Sequence, residues 1–98
     1  MTYSIIRTRL ADEDLLEIWS YIAQNNVEAA DRIFDKIDQK CQLLSTTPKA
    51  GVRRDDLVPG LLCLIEGNYL IFYRIIDETI EILRILHGAR NLKAIFHQ

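Results

Sequence analysis

The sequence has 98 residues, 49% of them hydrophobic and 27% charged, a balance expected of one soluble globular domain spanning 1–98. At this length folding buries roughly 60–70% of the unfolded surface, enough for one modest core. The formal net charge of −2 gives no global sign of nucleic-acid binding.

Tyr3 to Thr8 is a short β-branched and aromatic run and predicts a strand. Asp12, Glu13 and Asp14 follow at the start of a helical pattern, where the helix dipole favours anions. Leu15, Ile18, Trp19 and Ile22 repeat at three-to-four spacing, so Trp19 is expected in the core. Asn25-Asn26 breaks the pattern, and Asn26 is placed to cap a second helix, Val27 to Leu44. That helix carries the stripe Ala30, Ile33, Phe34, Ile37, Cys41 and Leu44, and a charged opposite face. The two helices form a hairpin whose apolar stripes need a cover.

Thr46-Thr47-Pro48 ends the second helix, because proline disfavours helix in the residue before it. A polar loop, Lys49 to Gly60, is the segment expected to be most mobile. Three strands follow: Leu61 to Glu66, Tyr69 to Ile76 across Gly67-Asn68, and Thr79 to His87 across Asp77-Glu78. Arg90 to Phe96 predicts a short terminal helix. The class is therefore α+β: an N-terminal strand, a helical hairpin, a three-stranded antiparallel meander and a short C-terminal helix.

Pairing Ile76 with Thr79 puts Arg74 opposite Glu81, an opposite-charge cross-strand pair. Carried to the end of the hairpin, that register puts Leu70, Phe72, Leu83, Ile85 and His87 on one face with Arg74 and Glu81. Tyr69, Ile71, Tyr73, Ile80, Ile82, Arg84 and Leu86 then share the other. Both faces are largely apolar. The helices cover one, and the second calls for a partner chain.

Cys41 and Cys63 are far apart in unlike spacing for a metal site and are expected as buried free thiols, as in a reducing cytosol. No apolar run reaches signal-peptide length or the ~20 residues needed to span a bilayer, so a cytoplasmic location is expected. No phosphate loop, Cys-x-x-Cys pair or His-Glu-x-x-His helix is present, and no cofactor or metal is expected. His87 reads as a strand-end polar residue or a general base, and Glu81 as the partner of Arg74 or an acid. Cys63 has no evident base to activate it. The uneven feature is the arginines: Arg53, Arg54, Arg74, Arg84 and Arg90, five of the eight, lie in the second half. They are solvated or salt-bridged charges or, if they converge, a phosphate grip.

The run Gly67-Asn68-Tyr69-Leu70-Ile71-Phe72-Tyr73-Arg74, followed by Ile80-Glu81-Ile82-Leu83-Arg84-Ile85-Leu86-His87-Gly88-Ala89-Arg90-Asn91-Leu92, resembles the C-terminal half of ParE toxins. Ala11-Asp12-Glu13-Asp14-Leu15-Leu16-Glu17-Ile18-Trp19-Ser20-Tyr21-Ile22 resembles their first helix, and Gly60-Leu61 also fits. The resemblance implies the RelE/ParE-like fold, a helical hairpin on an antiparallel-rich sheet. RelE-like members of this superfamily cleave mRNA in the ribosome. They carry two alternating lysines on the strand after the loop, an arginine after the next strand's opening Tyr, an arginine after the Gly that ends the last strand, and a Tyr near the C-terminus. This sequence has Leu61, Cys63, Leu70 and Phe96 at those places, and only Arg90 matches. RNA cleavage needs a base, an acid and stabilisation of a phosphorane, which these four side chains do not supply.

The resemblance thus implies the ParE branch: a type II toxin without catalytic residues that inhibits DNA gyrase by binding, traps it on cleaved DNA, and is neutralised by a ParD-like antitoxin. Expected target-binding residues are Arg53, Arg54, Arg84, His87 and Arg90. Expected antitoxin-binding residues are Leu70, Phe72, Leu83 and Ile85 on the second sheet face. The alternatives are a RelE-like ribosome-dependent ribonuclease using Arg53, Arg54, Arg84, Arg90 and His87, and an inactive toxin-like interaction module.

Overall fold

The computed structural model describes residues 2–97. Its elements in chain order are β1 (Ser4–Arg7), α1 (Arg9–Ala23), α2 (Val27–Leu43), β2 (Val52–Arg53), β3 (Leu62–Glu66), β4 (Tyr69–Ile76), β5 (Thr79–His87) and α3 (Leu92–Phe96). They form one five-stranded sheet in the order β1-β5-β4-β3-β2. The N-terminal strand lies parallel to β5, with Ile5 beside Ile80 and Arg7 beside Ile82, and the other pairings are antiparallel. The expected strand–hairpin–meander–helix order stands, and β2 is an added edge strand inside the polar loop.

Local chemistry starts each helix. Thr8 caps α1, its hydroxyl oxygen accepting from the Ala11 amide at 3.1 Å while donating to the Leu83 carbonyl at 2.8 Å. Asn26 caps α2, accepting from the Ala29 amide at 3.0 Å, and Asn91 caps α3 through the Ala94 amide at 3.2 Å. The turns of the meander use positive φ at Gly67 (58°) and at Asp77 (53°).

The predicted register holds from Ile76/Thr79 to Tyr73/Ile82 and then slips by one residue, Phe72 pairing with Arg84 and Ile71 with Ile85. The extra residue on β5 is a bulge, which reverses the faces of the residues beyond it. Ile85, expected on the outer face, is instead 1% exposed in the core beneath the helices with Ile71, Ile80 and Ile82. Leu86 turns to the opposite side.

The chain itself covers one sheet face and much of the other. The first packs on α1 and α2 through Ala11, Leu15, Ile37, Cys41 and Leu44. The second carries a smaller cluster of Leu57, Leu61, Cys63, Phe72 and Leu86, closed by Val58 and by Leu92, Ile95 and Phe96 of α3. The chain thus covers by itself much of the face that the sequence left to a partner, while Ile65 (57% exposed) and Ile76 (43%) at its margin stay open. The expectation of a mobile loop is corrected: Leu57 is 3% exposed, the Arg54 amide donates to the Leu61 carbonyl at 2.8 Å, and His97 Nε2 bonds the Leu57 carbonyl. Trp19 is half-buried rather than core, because its indole N–H leaves the stripe to donate to Asp31 at 2.8 Å. Cys41 and Cys63 are free and buried. No described helix is long and apolar enough to cross a membrane.

Candidate functional site

The five arginines of the second half do not converge. Arg53 donates to Asp55 at 2.8 Å, and Arg54 grips Asp56 through two bonds of 2.9 and 3.0 Å. The Arg53 hydrogen bond, helped by the Gly60 amide, holds the Asp55 carboxyl below its ordinary range, and Arg54 does the same to Asp56. Arg74 pairs with Glu81 at 2.6 Å, as expected. Arg84 faces α1, where the nearly buried Asp14 accepts from its Nε at 2.8 Å and from Nη2 at 3.0 Å. That hydrogen bond pushes the guanidinium further above its ordinary range. Among the described residues, Arg90 alone of the five makes no ion pair.

Arg90 and His87 share a cleft of about 480 Å³ between the C-terminal turns of α1 and the open end of the β4–β5 hairpin. Its walls include Glu17 and Tyr21 from α1 and Tyr69 from β4, and Asp14 lies at its floor. The Tyr69 and His87 rings meet edge to face, 5.5 Å between centroids and 87° between planes, as cross-strand partners at the hairpin end. The Ala89 amide donates to His87 Nδ1 at 3.1 Å, so the neutral ring carries its proton on Nε2. Tyr21 is 74% exposed. Sequence reasoning passed over it because it lies off the Leu15–Ile18–Ile22 stripe. Its signal is that same displacement, a large aromatic on the wet side of an amphipathic helix.

Of the residues expected to meet an antitoxin, Leu70 and Leu83 are half-buried at the margin of the second cluster. Phe72 is fully buried, its ring 4.8 Å from that of Phe96, and Ile85 is inside the first core. The bulge and the α3 cover, both missed in the sequence, remove these two from the surface. Exposed apolar area also lies on the outer side of the helical hairpin, where Leu16 (65% exposed) and Phe34 (36%) flank Trp19 along a groove of about 320 Å³.

The positions that distinguish the nuclease branch also fall together. Leu61, Cys63, Leu70 and Phe96 all belong to the second apolar cluster, where burial pushes the Cys63 thiol up in pKa. Among the described residues, no group of three His, Cys, Asp or Glu is arranged to hold a metal.

Comparison with known proteins agrees with this layout. The family model described as the ParE toxin of the type II toxin–antitoxin system parDE matches residues 5–92. The chain is 36% identical over 91 residues to Toxin ParE3 of Caulobacter vibrioides, covering 92% of this chain and 91% of that one. It is 29% identical over 84 residues to Toxin ParE1 of Mycobacterium tuberculosis, covering 84% and 86%. Among solved structures it resembles a chain of the chromosomal ParDE toxin–antitoxin system from P. aeruginosa, with a TM-score of 0.75, 28% identity and coverage of 88% and 96%. It also resembles a chain of the RelBE2 toxin–antitoxin complex from Mycobacterium tuberculosis, with a TM-score of 0.66, 26% identity and coverage of 89% and 99%. The chain therefore belongs to the ParE toxin family of type II toxin–antitoxin systems.

Proposed function

We propose that this chain is a toxin that inhibits DNA gyrase by binding rather than by catalysis, and that a ParD-like antitoxin neutralises it in the cytoplasm. The observation that carries the reading is the fate of the four nuclease-branch positions. Leu61 and Cys63 are 2% and 4% exposed, and with Leu70 and Phe96 they pack into a hydrophobic cluster. General acid–base groups typically contribute about 10²–10⁴-fold in rate each, and apolar side chains packed on one another contribute none. The polar groups left at the surface, Arg90 and His87 with two tyrosines, are of the kind enriched where proteins bind proteins.

The antitoxin half of the reading rests on the helical hairpin. A disordered segment that folds on its partner covers wide surfaces, and the groove beside Leu16, Trp19 and Phe34 offers apolar area for one. Co-expression with the product of the adjacent gene is expected to give a co-purifying complex. Two assays on one toxin preparation test the target: supercoiling of relaxed plasmid by gyrase, and primer extension on translated mRNA. Inhibited supercoiling with intact mRNA is expected. Codon-spaced cleavage with untouched supercoiling overturns the reading in favour of a RelE-like ribonuclease.

A further inference from the structure

We propose that the cleft between the end of α1 and the open end of the β4–β5 hairpin is the grip by which the chain holds its target. Its occupant is an acidic side chain of a protein, received by Arg90 and His87 between Tyr21 and Tyr69. This deepens the reading of a toxin that works by binding, and depends on it only for the identity of the target.

Charge is the first argument. Arg53, Arg54, Arg74 and Arg84 each have a carboxylate within 3 Å. Arg90 is exposed at the cleft and makes no ion pair among the described residues. A guanidinium without an internal partner is free to take a carboxylate through two parallel bonds.

The second argument is the donor content of the residues that line the cleft. With Nδ1 occupied by the Ala89 amide, His87 offers Nε2–H, and the hydroxyls of Tyr21 and Tyr69 add two more. Tyr21 contributes little to the core at 74% exposure, and tyrosine gives large contact area at low entropic cost. Tyr69 is steadied by its edge contact with His87.

The third is rigidity. The wall carrying Tyr21 and the wall carrying His87 belong to elements clamped together by Asp14, which takes Arg84 and the Ile85 amide at once. The cleft is therefore formed before the target arrives, which lowers the cost of binding.

A carboxylate suits the site better than a polyanion. Glu17 lines the same cleft, and the chain's net charge is −2. Duplex DNA presents one charge per roughly 1.7 Å of its axis and would bring several against Glu17, whereas a carboxylate brings a single charge for Arg90 to offset.

The test expresses the full chain without antitoxin and compares wild type, Arg90→Ala, Arg90→Lys, Tyr21→Ala and the control Arg32→Ala for growth arrest. Melting curves confirm that each variant folds, and binding of intact gyrase without DNA is measured in parallel. Arg90→Ala and Tyr21→Ala are expected to lose growth arrest and to bind gyrase at least about thirtyfold more weakly, a loss of hot-spot size, while melting as wild type does. Arg90→Lys is expected to fall between, and Arg32→Ala to behave as wild type. Growth arrest retained by both alanine variants overturns the cleft. Arrest lost in the variants while wild type fails to bind gyrase overturns the gyrase reading and leaves the cleft standing. Binding of wild type to a duplex oligonucleotide that disappears in Arg90→Ala replaces the carboxylate with a phosphate and overturns that part of the proposal.

Discussion

Asp14 of α1 takes three hydrogen bonds from two consecutive residues of β5, two from the Arg84 guanidinium at 2.8 and 3.0 Å and one from the Ile85 amide at 3.0 Å. The contact sits where the sheet is interrupted. β1 accompanies β5 only as far as Ile82, and beyond it the Leu83 carbonyl accepts from the Thr8 hydroxyl. Side chains of the first helix and its cap thus serve backbone groups that a longer β1 would have served.

The pair is only partly wet, with Asp14 at 9% and Arg84 at 22% side-chain exposure. Removing Asp14 leaves both the Arg84 guanidinium and the Ile85 amide unpartnered, and removing Arg84 leaves the Asp14 carboxylate with the Ile85 amide alone. Asp14→Ala and Arg84→Ala are each expected to cost about 3 kcal/mol, the lower end for a buried pair because Arg84 keeps some solvent. Urea unfolding measures this. The combined change Asp14→Leu with Arg84→Met is expected to recover part of the loss, since it removes both charges together. A double variant as weak as the sum of the singles would show that the pair is not coupled.

Arg74 and Glu81 provide the contrast. Their bond is shorter, 2.6 Å, yet Arg74 is 52% exposed and screened by water. Arg74→Ala is expected to cost less than about 1 kcal/mol and to leave growth arrest intact. A loss comparable to that of Arg84→Ala would contradict the assignment of weight to burial rather than distance.

These two pairs also mark how far the sequence could be read. Arg74–Glu81 was legible because it lies two pairs from a tight turn, where register is fixed by turn length. Arg84–Asp14 was not, since its members lie 70 residues apart on a helix and a strand, and neither was the bulge after Tyr73/Ile82. Alternation reveals a slip only when one face is polar, and here Leu70, Phe72, Leu83 and Ile85 are as apolar as Ile71, Tyr73, Ile82 and Leu86. The second core was hidden for a related reason: Leu57 and Val58 lie among the charges of the polar loop and show no period. Of the cleft, His87 and Arg90 were anticipated, whereas Tyr21 and Glu17 come from a helix some seventy residues earlier in the chain, a juxtaposition only the tertiary fold creates.

Tyr73 gives a third expectation. Its hydroxyl donates to the Pro48 carbonyl at 2.8 Å and accepts from the Gly51 amide at 2.9 Å, pinning the chain between α2 and β2 over the sheet. A Cβ at Gly51 would lie 2.7 Å from that hydroxyl and 2.8 Å from the Cys63 carbonyl, with backbone on one side and a fully buried ring on the other. Gly51→Ala is expected to destabilise by about 1–3 kcal/mol through overpacking. Tyr73→Phe is expected to cost about 1–2 kcal/mol by leaving two backbone groups unpaired. Amide exchange at Gly51 should accelerate in Tyr73→Phe; unchanged exchange would show the hydroxyl is not the latch.

Alkaline pH should destabilise the chain through Cys41. Burial, with a smaller push from Asp38, raises its thiol from an ordinary 9.0 to about 11. Between those values the unfolded chain has lost the proton and the folded chain keeps it. Stability is therefore complete below pH 9.0 and falls as pH rises towards 11. The loss is at most about 3 kcal/mol. Burial also raises the Tyr73 phenol, which adds in the same direction. Melting temperature measured from pH 7 to 11 is expected to be level and then to drop, and Cys41→Val is expected to make the drop shallower. An equal drop in that variant would place the titration elsewhere.

The small second core gives the last expectation. α3 has only five residues, too few to be helical alone, and is held by its Asn91 cap and by the packing of Leu92, Ile95 and Phe96 on the sheet. Phe96 is the largest of the three, and its ring meets Phe72 edge to face at 4.8 Å. Because Phe96 remains half-buried, Phe96→Ala should cost less than the 3–5 kcal/mol typical of a fully buried Phe, about 2 kcal/mol. That loss should fall mainly on local opening, since the apolar residues of α3 belong to the second cluster and none to the first. Labelling with a thiol reagent separates the two possibilities. Cys63 lies in the second cluster and Cys41 in the first. Phe96→Ala is expected to speed modification of Cys63 while leaving Cys41 as slow as in wild type. Equal acceleration at both thiols would mean that the two cores unfold as one unit and that α3 is part of the global fold rather than a separately opening cover.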